Sequence, residues 1–572
     1  MYVKSTRVRS GKKTYEYLSL VEGYRDENGK VRQNTLFRLG EASKLRASGQ
    51  LDRIVETLTA HAERRWVDAD DIEAEDAPQV GGITAVKTWW DKLGLDRWLK
   101  QAGATNGLSW SLADANFGMV ANRLLQPASK RKTVEWLERD VVAPAGFSSP
   151  ELEQYYRALD HICDLKGELE TFLYAQLTDL TNLSLTLVCY DLTSTFFEGD
   201  PASSVKFPSK AFGYSRDRRG DRPQVVVGLL TTADGIPIAH HVFAGDTTDV
   251  TTLPEVLEDL RERFAVGRIC LVADRGLISE RNVATVAEAG ADWIMATRLH
   301  QRTDVAAVLD QAHAADDADW TEVEEFSSRV LDLEHEGRRY VVVFSNARHH
   351  RDTLRRSQLV KKTEDQLLAL EARVASGRLK DRDKIVAAAE KILARSTVAK
   401  LFTYTAKDGR FVYDYDHDAL DYEEGLAGHY VLATSLDHSV PAEEVLACYR
   451  SLQQVEYWFR VLKDFLHLRP VFHWTESRVR GHIAICVLAA VIEALIGKAL
   501  ADADVRDPDL DDQQLTAARA LAELSRIRQV TLAPADGGPT IEAVTRRTAL
   551  QQQILKALEI GTRAWQRPTI TS

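Results

Sequence analysis

The spacing of apolar positions changes several times along this chain, and each change predicts a different kind of element. Residues 1 to about 50 alternate in short pieces, YEYLSLVEGY and RQNTLFRLG, around DENGK, whose Asn28-Gly29 pair predicts a tight hairpin turn. LDRIVETLTAHAERRW then reads as a helix, and the acidic run VDADDIEAEDAPQ as a linker. From about Gly82 to Leu180 apolar residues fall three and four apart, in WWDKLGLDRWLKQAG, SLADANFGMVANRLLQPASKR and ELETFLYAQLTDL, predicting a helical domain.

The pattern becomes most ordered after that. LSLTLVCYD predicts a strand ending on Asp191, and QVVVGLLTTADGIPIAHHVFAGD two strands about the Asp234-Gly235 turn. TTLPEVLEDLRERF predicts a helix, RICLVAD a strand buried on both faces, ISERNVATVAEAG a helix closed by Gly290, and DWIMATR a last strand. This β-β-β-α-β-α-β order predicts an α/β fold: a mixed sheet with flanking helices. Residues 300 to about 440 interrupt it with strand-like ends around a long charged helix, Thr353 to Arg395. IAICVLAAVIEALIGKALA then reads as a buried helix, and LTAARALAELSRI and IEAVTRRTALQQQILKAL as two amphipathic C-terminal helices.

The expected organisation follows from these changes: an N-terminal β-hairpin unit with a linker helix (1–80), a helical domain suited to DNA contact (81–180), and the first part of an α/β core (181–300). An α+β insertion domain (301–440), the second part of the core (441–505) and a C-terminal helical segment (506–572) complete it.

Composition narrows the picture. A chain of 572 residues is too long for one core and predicts roughly three or four structural units. A net charge of −12 argues against a surface uniformly built for nucleic acid, so local charge has to carry any such contact. Residues 1–50 hold eleven Lys and Arg against five Asp and Glu, a balance of +6. The run Ser129 to Lys132 lies where a phosphate could meet a helix N-terminus, and RHHRDTLRRSQLVKK is basic enough for a DNA backbone. Five cysteines without a CxxC pair read as buried thiols of a reducing compartment. The N-terminus lacks the apolar core of a signal peptide, and the run Ile483 to Ile492 is short of the ~18 residues that span a bilayer. A soluble, cytoplasmic protein without a membrane partner is expected.

The chemistry gathers around Tyr449 to His473, YRSLQQVEYWFRVLKDFLHLRPVFH. As one helix it carries Val455, Phe459, Leu462 and Leu466 on an apolar stripe, with Tyr449, Glu456, Arg460, Lys463 and His467 on a polar one. Alone, that stripe is a solvated face. Two further acids, Asp191 and Asp274, fall at the carboxyl ends of predicted strands, where ligands collect in such sheets. Either aspartate singly reads as a turn cap; three carboxylates on separate elements can hold two Mg²⁺ ions for phosphodiester chemistry.

At these residues the chain resembles a known family. YDLTSTFFEG, VADRGLIS and Y-x6-E-x6-K, with GYSRDRRGDRPQVVVGL between the first two, resemble the DDE transposases of bacterial insertion sequences, in the group whose ribonuclease-H-like domain carries a β-rich insertion before the Glu helix. The resemblance implies a ribonuclease-H-like fold interrupted by an α+β insertion. It makes Asp191, Asp274 and Glu456 the catalytic, metal-binding triad, holding two Mg²⁺ ions, with Mn²⁺ as a substitute. It matches Tyr449 and Lys463 to the signature as DNA contacts; Arg460, on the same polar stripe but out of register with the signature, is a further expected DNA contact. One position departs: the signature's Arg, four residues before the Glu, is Leu452 here. Relatives stabilise flipped bases with the insertion, and its one tryptophan, Trp320, can stack on a base, although core packing is the plainer role. His240-His241 and His349-His350 lack zinc-ligand spacing.

The resemblance also implies double-stranded DNA partners, the terminal inverted repeats of the element and its target, and a homodimer that processes two ends together in a bacterial cytoplasm. The expected activity is cleavage at the repeats followed by strand transfer. Two alternatives stay open: an inactive or domesticated DNA-binding relative, and a ribonuclease-H-like nuclease that does not join strands.

Overall fold

The computed structural model describes residues 1–11, 13–59, 61–62, 72–181, 187–198, 209–232, 234–248, 251–264, 270–273, 280–297, 303–534, 540–561 and 569–571. The chain forms two compact units, one of residues 1–77, 530–544 and 565–572, the other of residues 78–529 and 545–564.

In the first unit, β1 (Tyr2–Ser10), β2 (Lys13–Arg25) and β3 (Val31–Glu41) form an antiparallel sheet in that order. The expected turn joins β2 to β3: Gly29 takes φ +74°, and the Asp26 carboxylate accepts hydrogen bonds from the Asn28 and Lys30 amides at 3.1 and 3.0 Å. The acidic linker holds a strand where none was expected. Residues Ile72–Asp76 (β4) pair antiparallel with Gln529–Pro534, which continues to Thr540–Val544 and Thr569–Thr571 in a four-stranded sheet. The C-terminal segment is therefore mixed: helices form over Ala517–Leu524 and Ala549–Ala557, but TIEAV is a strand. β-branched residues at Thr540, Ile541 and Val544 favour a pleated neighbour over the helical period read across them.

The second unit opens with the expected helices. Leu112–Leu125 is buried almost throughout, and the Ser111 hydroxyl caps it by accepting from the Asp114 amide at 3.1 Å. It packs beside Glu476–Asp502, a 27-residue helix long and apolar enough to cross a membrane by length and composition. This helix is a core element here. Ile483, Ile485, Ile492 and Leu500 are fully buried, and Gly481 lies so close to Leu159 that an added Cβ would stand 2.1 Å from the Leu159 carbonyl oxygen.

Against these helices stands a nine-stranded sheet. Its strands are β5 (Leu187–Phe196), β6 (Gln224–Thr232), β7 (Pro237–Ala244), β8 (Cys270–Ala273), β9 (Asp292–Ala296), β10 (Thr321–Val323), β11 (Ser328–His335), β12 (Arg338–Ser345) and, beyond the hairpin β13 (Phe402–Lys407) and β14 (Arg410–Tyr415), β15 (His429–Thr434). The spatial order is β10-β11-β12-β15-β9-β8-β5-β6-β7. β5, β6 and β7 run antiparallel to their neighbours in turn, whereas β8 is parallel to β5 and β9 parallel to β8. β8 is buried along its length, as its unbroken apolar run requires.

Two expectations change. β5 continues five residues beyond Asp191, to Phe196, because its partner β6 is long enough to pair with all of it. Residues 301–440 are not a separate body throughout: β10, β11, β12 and β15 extend the same sheet through the antiparallel β15–β9 pair. A core of their own belongs to the long helix Asn346–Ala375, the helix Arg382–Leu393 and the β13–β14 hairpin, around Leu367, Leu370, Ile385 and Phe411.

Candidate active site

Asp191 lies in mid-strand with partners on both sides. Tyr190 pairs with Ala273 of β8, and Asp191 itself with Leu229 of β6. Tyr190 is fully buried, and its hydroxyl donates to Thr252 Oγ1 at 3.0 Å. Its ring covers Gly228, where a Cβ would come within 2.8 Å of the Tyr190 hydroxyl oxygen. This packing fixes the strand from which the half-buried Asp191 carboxylate projects, with Oδ1 accepting the Leu192 amide at 2.7 Å. Asp274 follows Ala273 in sequence and lies outside the described residues.

The segment expected as one helix from Tyr449 is two short helices and a wider turn: Ala442–Arg450, then Leu452–Arg460, then a π-helical turn over Val461–Phe465. Leu452–Arg460 packs on β5 and β6. Val455, Phe459, Leu462 and Leu466 are buried as their stripe requires. Leu452, at the position of the signature's Arg, joins them at 6% exposure. It stands three residues before Val455 and seven before Phe459, on the same packing face. Glu456 faces outward, exposed, with neither a hydrogen bond nor an ion pair among the described residues.

Neighbours on either side fix that helix. Trp458 Nε1 donates to the Gly235 carbonyl oxygen in the β6–β7 turn. Gly235 has φ +78°, and its missing Cβ would meet the Gln454 Cβ at 2.9 Å, so the turn accepts the helix because it is glycine. On the far side the Tyr457 hydroxyl donates to Glu493 Oε1 at 3.2 Å. Glu493 is 2% exposed, and burial pushes its carboxyl up to about 7 despite that hydrogen bond.

The remaining polar positions differ in their surroundings. Arg460 is exposed and unpaired among the described residues. Lys463, expected at DNA phosphate, has its ammonium 2.9 Å from Asp217 Oδ1, and Arg469 bonds the same oxygen. Burial, partly opposed by Asp217, holds the Lys463 ammonium below its usual range. Tyr449 meets the Tyr430 ring at 6.0 Å. Trp320 is half-buried, with the Arg329 guanidinium 4.9 Å from its ring centre and His429 at 6.1 Å.

Among the described residues no group of three His, Cys, Asp or Glu side chains is placed to hold a metal. His240 Nδ1 lies 2.8 Å from Glu170, His241 Nε2 lies 3.0 Å from Asp259, and His349 meets the Ala427 carbonyl. The sequence reading missed Asp217, Arg469, Trp458 and Glu493. Asp217 stands inside the motif GYSRDRRGD, but its partner is 246 residues away, and no local spacing signals such a pair.

Residues 187–492 match the family described as the transposase DDE domain, and residues 3–73 match the N-terminal domain of IS1634 family transposases. The first match covers more than half of the chain, which therefore belongs to the DDE-domain transposases. With the second match, it is a DDE transposase of an insertion sequence. Solved structures similar to it include two transposase complexes. A piggyBac transposase synaptic complex with hairpin DNA is 8% identical, with 78% of this chain and 79% of that one covered and a TM-score of 0.35. A Mos1 transposase paired-end complex with the left transposon end is 13% identical, covering 33% and 68%, with a TM-score of 0.14. None of the curated proteins matches the chain.

Proposed function

We propose that this transposase binds the terminal inverted repeats of its own element, cleaves the DNA at their ends, and joins the freed 3′ hydroxyls to target DNA. The observation that carries this reading is the pairing of Tyr190 with Ala273, which sets Asp191 beside the end of β8, together with the outward Glu456 on a helix packed against β5. The antiparallel β5–β6–β7 meander followed by parallel β8 and β9 supports a ribonuclease-H-like assignment for this sheet.

Asp191 and Glu456 offer only hard carboxylate oxygens, and Glu456 is exposed and unpaired among the described residues, a donor set that fits Mg²⁺ and accepts Mn²⁺. Asp191, Asp274 and Glu456 would hold two such ions, which when bound activate the attacking oxygen and neutralise the leaving one. The chain's own contribution is position. β6 and β8 hold the strand of Asp191, while Trp458 and Tyr457 hold the helix of Glu456. Transfer forms one bond from a DNA 3′ oxygen to a target phosphorus and breaks that phosphorus from its own 3′ oxygen, which leaves with a proton. Arg460, unpaired among the described residues, is free to meet a backbone phosphate, and Lys463, paired with Asp217, braces the turn after the helix. A homodimer would bring two ends together.

The test is a supercoiled plasmid carrying the element's two terminal repeats, incubated with the purified protein and Mg²⁺. Glu456→Gln keeps the shape of the side chain and removes its charge. Cleavage at the repeat ends with joined products, both reduced at least about a thousandfold in the variant, is the expected outcome. Cleavage without joining would replace this reading with a nuclease, and repeat binding without cleavage by either protein with a domesticated DNA-binding relative.

A further inference from the structure

A cavity of about 420 Å³ opens beneath the chain that leaves the Glu456 helix. Its walls come from the N-terminus of the helix Lys130–Arg139, from Arg123, and from residues between His467 and His482. The strand that carries Asp191 is tied to the same wall, since the Val471 amide donates to the Phe196 carbonyl at 3.0 Å and the Glu198 amide to the Val471 carbonyl at 3.2 Å.

The charge inside this cavity is unbalanced. Lys130 is 4% exposed, and its ammonium has no hydrogen bond or ion pair among the described residues. Arg123, 5% exposed, donates among the described residues only to carbonyls, those of Leu466 and His467 at 3.3 Å each and that of Ala128. Burial, with Arg123 nearby, pulls the Lys130 ammonium down to about 7. Burial and the same cations hold His473 down to about 3, so it adds no charge. Nearby carboxylates belong to other arginines: Asp160 and Glu153 to Arg478, and Asp217 and Asp464 to Arg469. Two buried basic groups with no counter-ion among the described residues are costly, and an anion entering the cavity removes that cost. The N-terminus of the helix Lys130–Arg139 reaches the same wall, and the positive end of its dipole has the same sign, although Ser129 Oγ already accepts the Lys132 amide at 3.4 Å.

The cavity is also aromatic. Phe472 and Trp474 line it at 66% and 56% exposure, large apolar rings left open to solvent. A buried positive charge beneath open rings complements a phosphate ester of a flat heterocycle. We propose that this cavity binds an unpaired nucleotide of the DNA substrate, its phosphate meeting Lys130 and Arg123 and its base stacking on Phe472 and Trp474. The inference rests on the transposase reading and adds to it a DNA subsite outside the triad and outside residues 301–440.

The experiment uses the full-length protein in EDTA, so that no strand is cut. Binding of a labelled, 5′-phosphorylated oligothymidine and of a blunt duplex of equal length is followed by fluorescence anisotropy. Phe472→Ala with Trp474→Ala is expected to weaken oligothymidine binding about tenfold and duplex binding by about twofold or less, because stacking needs an unpaired base. Lys130→Met is expected to flatten the salt dependence of oligothymidine binding by about 0.7 in log–log slope, and Lys130→Arg to preserve it. Thymidine monophosphate should displace the oligonucleotide at concentrations where inorganic phosphate does not.

Equal weakening of both DNAs by the aromatic double variant, or none, overturns the proposal, as does equal displacement by the two small anions. The aromatic variant alters only exposed side chains, so its result does not depend on whether a buried lysine can be replaced. Cleavage of the repeat plasmid by the wild-type protein reports separately on the transposase reading. A wild type that never cuts but loses oligothymidine binding in the variant sinks that reading alone, and one that cuts while the variant binds normally sinks the cavity alone.

Discussion

Glu493 shows how much of the site rests on single residues outside the signature. Its carboxyl is buried on the core helix, with Tyr457 donating to it and its other oxygen unpartnered. A folded-state value near 7 against an ordinary 4.5 means that the folded protein holds a proton the unfolded chain has released. Stability from this group is complete below about pH 4.5 and is lost as pH rises towards 7. Glu493→Gln stays neutral and keeps an oxygen for Tyr457. Thermal unfolding should find it more stable than the wild type at pH 8, by on the order of 2–3 kcal/mol, with the gap closing by pH 5. A gap that persists at pH 5 would mean the gain comes from packing. At this scale the sequence singled out Asp191, Asp274 and Glu456 as candidates through their order and spacing. It left Lys463 looking free, because Asp217 approaches it only in the folded chain.

Among elements, the short helix Leu452–Arg460 depends on the β6–β7 turn. The Gly235 carbonyl receives Trp458, and the space a Cβ on Gly235 would take is filled by Gln454. Gly235→Ala puts a Cβ on a residue at φ +78° and drives it into Gln454, at a cost of about 1–2 kcal/mol for the backbone alone. The expected outcome is a fall of a few degrees in Tm and a loss of plasmid cleavage of at least about tenfold, with repeat binding in EDTA unchanged. Cleavage that survives the drop in Tm would show that the turn does not position Glu456. The Asp234-Gly235 turn was legible from its dipeptide, and its role as a seat for the helix was not. The same limit applies in the four-stranded sheet: Ile72–Asp76 becomes a strand because it pairs with Gln529–Pro534, far away in sequence, and Thr540–Val544 because it pairs with Thr569–Thr571, which outweighs local acidity and helical period.

For the whole molecule, the basic N-terminal sheet and the unit containing Asp191 and Glu456 are separate compact bodies. Removing residues 1–59 leaves β4 and the four-stranded sheet it joins. The main unfolding transition should then keep its Tm, while binding to repeat DNA weakens and its log–log salt dependence becomes shallower, since the +6 balance of residues 1–50 is lost. An unchanged salt slope would place end recognition elsewhere in the chain. The sequence by itself determined the order of strands and helices around Asp191, the buried β8, the hairpin turns, the core helix and the acidic residues of the signature, because each is written in local period or in a short motif. Tertiary structure decided that residues 321–345 and 429–434 extend the central sheet, that Leu452 faces inward, that Lys463 is paired, and that Lys130 and Arg123 share a cavity with Phe472 and Trp474. Those outcomes depend on which surfaces meet after the chain has crossed hundreds of residues, and neither burial nor charge pairing at that range leaves a trace in local spacing.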